Sequence, residues 1–217
     1  MKKEVFYVVR RIKEVVKKGF FICIEGIDKS GKTTQSRLLV DALRREGIEA
    51  YYTTEPSEGE IGRFIRRQIL YTTHRAPAVV EALLFAADRA DHIEREILPA
   101  ISKGSTIICD RYVYSSIAYQ GAAGLSIEWI KEINRFALKP DLAIYLDVPV
   151  EVALGRCGVK KSIMESRETQ ERVREIYLRF VDSGEMTLID ASGSVKEVAD
   201  RVKGLVLQKM RDYADRI

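Results

Sequence analysis

Short apolar runs alternate along this chain with longer stretches whose apolar residues recur every three or four positions. The runs fall at 20–24, 50–53, 105–109, 142–146 and 186–189. Most are apolar at consecutive positions, which predicts strands covered by helices on both faces. Between them, Leu38, Leu39, Ala42 and Leu43 form one helical stripe, with Gly47 as its stop. Ala82, Phe85, Ala86, Arg89 and Ile93 share helical spacing. So do Val173, Ile176, Tyr177 and Phe180, and again Val195, Val198, Ala199, Val202 and Leu205. Five such alternations predict a three-layer α/β fold of about five parallel strands joined by right-handed crossovers. With no internal repeat and no low-complexity linker, residues 20–217 read as one domain.

Two segments break this rhythm. Residues 1–19 carry Val5, Val8, Val9, Ile12, Val15 and Val16 at helical spacing, opposite a face rich in lysine and arginine. This predicts a basic amphipathic extension packed on the core, with a membrane-surface or nucleic-acid arm as the alternative. Glu4, Glu14 and the lack of a tryptophan anchor weigh against the membrane. Residues 155–167 show little apolar periodicity and hold Arg156, Lys160, Lys161 and Arg167, which on composition alone describes a solvated loop.

Composition narrows the picture only slightly. At 217 residues, 46% hydrophobic and 31% charged, the chain is long enough for a sizeable core and too apolar for disorder. Lys+Arg 36 against Asp+Glu 32 gives 36 − 32 = +4, too thin a surplus to name nucleic acid as a partner. No run approaches the ~20 apolar residues of a membrane span, and nothing resembles a signal peptide. Cys23, Cys109 and Cys157 lack metal-ligand spacing; the first two lie in apolar runs and read as buried reduced thiols. A cytoplasmic protein without membrane or nucleic-acid partners is the expectation.

Gly26-Ile27-Asp28-Lys29-Ser30-Gly31-Lys32-Thr33 fits G-x-x-x-x-G-K-[ST], directly after the first apolar run and at the start of a helical stripe. The glycines let successive N–H groups converge on a phosphate, and the helix N-terminus adds a favourable dipole. Lys32 supplies a point charge to the β/γ oxygens, and the Thr33 hydroxyl coordinates Mg²⁺. This motif implies a bound nucleoside triphosphate. The run 105–109 ends in Asp110, which a parallel sheet brings to the same edge as the phosphate loop, within reach of the metal. Arg111 follows and projects into the same cleft.

Beyond the phosphate loop come its extension through Thr34-Gln35, then Thr54-Glu55-Pro56, then Glu81-Ala82-Leu83-Leu84-Phe85-Ala86-Ala87-Asp88-Arg89. Asp110-Arg111-Tyr112, Ser115-Ser116-Ile117-Ala118-Tyr119-Gln120, Pro140-Asp141 and Leu146-Asp147-Val148-Pro149 follow. In order and spacing, from about residue 20 to the C-terminus, this pattern is similar to that of the thymidylate kinase family. The resemblance implies a P-loop kinase that moves the γ-phosphoryl of ATP to dTMP, giving dTDP, and that is usually a homodimer. It implies ATP contacts from Gly26, Ile27, Asp28, Lys29, Ser30, Gly31, Lys32, Thr33, Thr34 and Arg156. Acceptor contacts would come from Asp28, Glu55, Pro56, Arg66, Phe85, Arg89, Arg111, Ser116, Tyr119 and Gln120. Phe85 would stack on thymine, Arg89 bind its edge, Arg111 clamp the 5′-phosphate and Tyr119 crowd the 2′ position. Asp28, Lys29, Lys32 and Arg111 would be the catalytic set, with Thr33 and Asp110 on the metal.

This chain departs from the family at three points. Thr54 replaces a common arginine, which throws the acceptor clamp onto Arg111 and Arg66. Ser116 stands where many members have Asn. Cations occur both in the phosphate loop (Lys29) and in 155–167, which the resemblance turns into a lid over ATP. A kinase of another deoxynucleotide, or of a deoxynucleoside with Glu25 as base, stays open, as does a nucleotide-dependent regulator.

Overall fold

Each central strand divides its side chains between two cores. In β1 (Phe20–Glu25), Phe20, Ile22 and Ile24 face one way while Phe21 and Cys23 face the other. The same split recurs in β3 (Thr106–Asp110) and β4 (Leu142–Asp147): Ile108, Leu142, Ile144 and Leu146 join the first set, and Ile107, Cys109, Ala143 and Tyr145 the second. That two-sided burial is the physical content of the unbroken apolar runs. Each fully buried Ile or Leu contributes roughly 1.5–3 kcal/mol over an exposed one.

With β2 (Ala50–Thr54) and β5 (Thr187–Asp190), the strands form one parallel sheet in the order β2-β3-β1-β4-β5. The computed structural model describes residues 19–70, 76–156 and 166–215. Over these, the helices are α1 (Lys32–Arg45), α2 (Glu60–Ile65), α3 (Ala78–His92), α4 (Leu98–Ser102), α5 (Val113–Ala122), α6 (Ile127–Ile133), α7 (Val150–Gly155), α8 (Arg167–Asp182) and α9 (Val195–Ala214). Leu39 and Leu43 of α1 and Val198, Val202, Val206 and Met210 of α9 close the first core. α5, α6, α7 and α8 close the second, with Ile93 and Ile97 between α3 and α4. A π-helical turn, Ile93–Ile97, carries α3 into α4. It lies just before Pro99, whose ring would clash with a carbonyl four residues back in an unbroken α-helix.

The five predicted strands lie within one residue of those observed at either end. α5 and α6 are not legible as stripes. Tyr114 and residues 116–120 of α5 are all buried, so that helix has no polar face to reveal its period. The last helical stripe is also shifted. Val195 is 56% exposed as the first residue of α9, and the buried stripe starts at Val198. Ser194 and Glu197 cap this helix reciprocally, a capping box of the form S-x-x-E. The basic extension falls on residues outside those described, apart from Gly19, and so do 157–165 of the basic segment.

Pairing of Ile24 and Thr54 with Asp110, and of Glu25 with Tyr145, ends the strands level. Chain connections leave β1 on both sides, so the crevice above its carboxyl end is where an α/β sheet binds ligands. Among the described residues, no helix is long and apolar enough to cross a membrane.

Candidate active site

The phosphate loop turns sharply at both ends. Gly26 has φ 155°, and a Cβ there would sit 2.5 Å from Ser30 Oγ and 2.8 Å from the Leu146 carbonyl. Gly31, at φ 100°, opens α1. Within this cradle the Lys32 ammonium donates to the carbonyls of Gly26 (3.0 Å) and Ile27 (2.7 Å). Burial pulls its pKa down to about 8, helped by Arg111 and opposed by Asp28, Asp110 and Glu25. An anionic phosphate at the loop offers this lysine what its two neutral carbonyls do not.

Asp110 sits beside the cradle, as the strand-end reading expects. Its Oδ2 accepts from Thr33 Oγ1 (2.5 Å) and from the Tyr52 hydroxyl (3.3 Å). Its buried Oδ1 has no partner among the described residues. A carboxylate oxygen left open beside a hydroxyl, next to a phosphate cradle, fits Mg²⁺, which typically takes one or two protein oxygens and completes its shell with phosphate and water. Among the described residues, no group of three or more His, Cys, Asp or Glu side chains is placed to hold a metal ion.

Across the crevice, the turn after β3 aims Arg111 at the loop. Arg111 and Lys29 are the only non-glycine residues with positive φ among those described, at 71° and 64°. Backbone strain of this kind persists only where surrounding contacts hold it. Here Arg111 Nη2 donates to Asp28 Oδ1, Nη1 to Ser115 Oγ (3.2 Å), and the guanidinium lies 5.1 Å from the Tyr119 ring. Burial pushes the Asp28 pKa up, but Arg111 and Lys32 outweigh it and bring the carboxyl below its ordinary value. The other oxygen of Asp28 accepts from Gln170 Nε2 (3.1 Å), while its backbone N–H donates to Gln170 Oε1 (3.0 Å). Phosphate loop, arginine turn and α8 therefore meet at one carboxylate.

Glu25 builds that turn. It is fully buried and accepts from Tyr112 N–H (2.7 Å), Ser115 N–H (3.2 Å), Ser115 Oγ (2.6 Å) and Tyr177 OH (2.9 Å). Two of those donors are N–H groups that open α5, so the carboxylate caps the helix from outside it. A side chain so committed is a poor general base, which removes the support for a deoxynucleoside acceptor.

Deeper in the crevice, Arg89 is 1% exposed. It donates to Glu55 through Nε (2.9 Å) and Nη2 (2.6 Å), to Ser116 Oγ (3.0 Å) and to the Asn134 side-chain carbonyl. An arginine on an apolar stripe is thus paired within the protein, not left for a ligand alone. Phe85 lies one turn away and is half-buried. Gln120 is buried with its carbonyl unpartnered among the described residues, as is the Tyr119 hydroxyl.

Arg66 differs from the expected clamp. Its guanidinium donates to the carbonyls of Pro56 and Ser57 and pairs with Glu58 at 3.0 Å, tying α2 to the loop after β2. Asp88 secures the same loop through Ser57 N–H (2.7 Å) and Oγ (2.6 Å). Thr54, in place of the common arginine, donates to the Asp110 carbonyl. Arg156 bridges the Lys29 carbonyl (3.2 Å) and the Ala191 carbonyl (3.3 Å), where it can flank a nucleotide held in the loop. Arg167 points elsewhere: it is 65% exposed and paired with Glu151 and Glu171. Lys160 and Lys161 lie outside the described residues. Gln170, Asn134, His92 and Tyr52 escape a reading of the sequence, although Gln170 and His92 left a trace as polar residues on buried helical stripes.

A phosphate loop with a strand-end carboxylate beside it, facing an arginine turn at the edge of a parallel sheet, is the arrangement of a P-loop phosphotransferase. Comparison with known proteins sharpens this. The sequence model of the family described as thymidylate kinase matches residues 24–202. The chain is 44% identical over 201 residues to a probable thymidylate kinase of Pyrococcus abyssi, covering 89% of this chain and 98% of that one. It is 43% identical over 195 residues to a probable thymidylate kinase of Staphylothermus marinus, covering 88% and 96%. A thymidylate kinase of Symbiobacterium thermophilum is 43% identical over 196 residues, covering 86% and 92%. The chain belongs to the thymidylate kinase family.

Proposed function

We propose that this enzyme carries the γ-phosphoryl of ATP to the 5′-phosphate of dTMP in the crevice above β1, releasing ADP and dTDP. The observation that carries the reading is the Asp28–Arg111 pair, which joins the donor loop to an acceptor clamp within hydrogen-bond distance. Gly26, Ile27, Asp28, Lys29, Ser30, Gly31, Lys32, Thr33 and Thr34 wrap the donor phosphates, with Arg156 beside the nucleotide. Lys32 leaves its loop carbonyls for the β/γ oxygens. Mg²⁺ held by Thr33 and Asp110 would neutralise charge on those oxygens when bound.

Arg111 clamps the acceptor phosphate and Asp28 orients the clamp. Phe85, Arg89, Ser116, Tyr119 and Gln120 hold the nucleoside, with Glu55 and Pro56 shaping that subsite and Arg66 bracing it. No side chain need remove a proton, because the attacking phosphate oxygen is already anionic at neutral pH; positioning and charge neutralisation carry the rate. The basic segment 155–167 acts as a lid over ATP, and 20–217 is one kinase domain that works without the 1–19 extension.

A homodimer is supported by Val79, Val80 and Leu83, which form an exposed apolar stripe on α3, and by exposed Phe64 on α2, a helix packed against α3. Leu83→Glu should shift the mass measured by light scattering from dimer to monomer. Buried free thiols at Cys23 and Cys109 support a reducing, cytoplasmic setting. The decisive assay couples ADP release to Mg²⁺–ATP turnover across a panel of nucleoside monophosphates and nucleosides. Preference for dTMP is expected; turnover with none of them would favour a nucleotide-dependent regulator.

A further inference from the structure

Arg89 is the end of a buried chain of charges. Its Nε and Nη2 both meet Glu55 Oε2, and the other oxygen of Glu55 faces His92 Nδ1 at 3.2 Å. His92 Nε2 lies 2.7 Å from Thr53 Oγ1 and 3.5 Å from Glu96 Oε2. Arg89, Glu55 and His92 are 1%, 4% and 2% exposed, and Glu96 ends the chain at the surface. Positive and negative groups thus alternate from the acceptor subsite to solvent. None of them except Arg89 and Glu55 belongs to the site as the family resemblance drew it.

We propose that His92, through Glu55, is a positioning residue for Arg89, so that recognition of the acceptor base depends on the buried Glu55–His92 ion pair. The proposal rests on the reading that Arg89 faces the base. Of the five N–H donors of Arg89, four are directed at Glu55, Ser116 and Asn134. One Nη1 hydrogen remains for a ligand, and its direction follows from how the guanidinium plane is held. Glu55 sets that plane by taking two donors on one oxygen. A buried carboxylate that lost its second partner would keep an unsatisfied oxygen and could turn to satisfy it, carrying the guanidinium with it. His92 prevents that turn.

The charge state of His92 follows from its neighbours. Burial alone would lower its pKa, but hydrogen bonds to Glu55 and Glu96 outweigh burial and raise it to about 9. From α3, Asp88 and Arg89 also face this cluster. From the central strands come Cys23 and Cys109, and Tyr112 lies beneath the Arg89 guanidinium at 5.3 Å. Burial raises the pKa of both thiols and of the Tyr112 phenol, so these groups stay neutral while His92 titrates. The ion pair is intact at neutral pH and is lost as pH rises through about 9.

The test is steady-state kinetics with Mg²⁺–ATP and dTMP on the full chain, for the wild type, His92→Leu, His92→Gln and Arg89→Lys. His92→Leu should raise the dTMP KM about tenfold while leaving kcat within about threefold and the ATP KM unchanged. His92→Gln, which keeps a donor for Glu55, should recover most of the loss. The wild-type dTMP KM should rise through pH 9 more steeply than that of His92→Leu, whose remaining slope belongs to ionisation of the pyrimidine ring itself.

The chain has two histidines, so the imidazole resonance that remains in His74→Gln identifies His92 by NMR. Linkage requires dTMP to move its titration to higher pH. A folded His92→Leu with an unchanged dTMP KM would overturn the proposal. If that variant fails to fold, a wild-type His92 resonance whose titration ignores dTMP overturns it equally. Should Arg89→Lys also leave the dTMP KM unchanged, it is the base contact of Arg89 that fails, not the relay.

Discussion

Replacing Glu25 tests whether it builds the site or performs chemistry. Glu25→Ala removes a buried acceptor shared by four donors: two backbone N–H groups at the start of α5, the Ser115 hydroxyl and the Tyr177 hydroxyl. The hydroxyls can satisfy each other, since their oxygens are already 3.0 Å apart. Of the two N–H groups, that of Ser115 also donates to the Tyr112 carbonyl at 3.0 Å, so Tyr112 N–H is the one left orphaned, at about 1–3 kcal/mol. The expected loss is therefore about 1–3 kcal/mol, a sizeable share of a typical domain's stability. For a chain of this size each kcal/mol moves Tm by about 2–4 °C.

Glu25→Gln should behave differently. Burial raises the Glu25 pKa against the pull of its donors, so ionising this carboxyl costs the folded state more than the unfolded chain. A neutral amide keeps an acceptor for the N–H pair and turns its NH₂ to the hydroxyls, for a change within about 1 kcal/mol either way. Thermal unfolding and dTMP kinetics on both variants are the assay. An unchanged Tm in Glu25→Ala would refute the capping argument. A fall of a hundredfold or more in kcat for Glu25→Gln at unchanged Tm would mean that Glu25 moves a proton and would return a hydroxyl acceptor to consideration.

Three further outcomes follow from the same geometry. Gln170→Ala removes two hydrogen bonds to Asp28, together about 1–3 kcal/mol, so Tm should fall by about 2–12 °C and kcat/KM of the folded variant at least fivefold; a wild-type rate would show that α8 does not brace the loop. Arg111→Lys gives up the planar fork and should raise the dTMP KM by about 10–100-fold while a non-hydrolysable ATP analogue still binds in calorimetry; equal loss of both ligands would move Arg111 out of the acceptor clamp. Stability should fall at alkaline pH, because the His92 contribution is complete below its ordinary 6.5 and is lost as pH rises through about 9. That interval corresponds to at most about 3 kcal/mol. A Tm profile of His92→Leu as steep as the wild type would refute the assignment.

Local signals announced the donor half of the site and only part of the acceptor half. Gly26, Gly31, Lys32 and Thr33 fall within eight consecutive residues, and their spacing is itself the phosphate cradle, so no distant residue is needed to read them. Asp110 was legible because it ends an apolar run and parallel strands end level. Arg89 stood out on the stripe of α3, but its partners Glu55 and Asn134 are 34 and 45 residues away, and no periodicity connects them. The charge of Arg66 is visible in the sequence, while the carbonyls of Pro56 and Ser57 that it meets are not. The same holds for Arg167, whose surface partners Glu151 and Glu171 only the fold reveals.

Periodicity and one motif were enough for the strands, the sense of the sheet and the place where triphosphate binds. These depend on neighbours in the chain, and local stereochemistry repeats reliably. Which cations face the crevice, which carboxylate holds them and which groups are spent elsewhere depended on contacts such as Asp28 with Gln170, 142 residues apart. The energy of a buried charge is set by whatever lies within a few ångströms of it, and only folding brings those partners together.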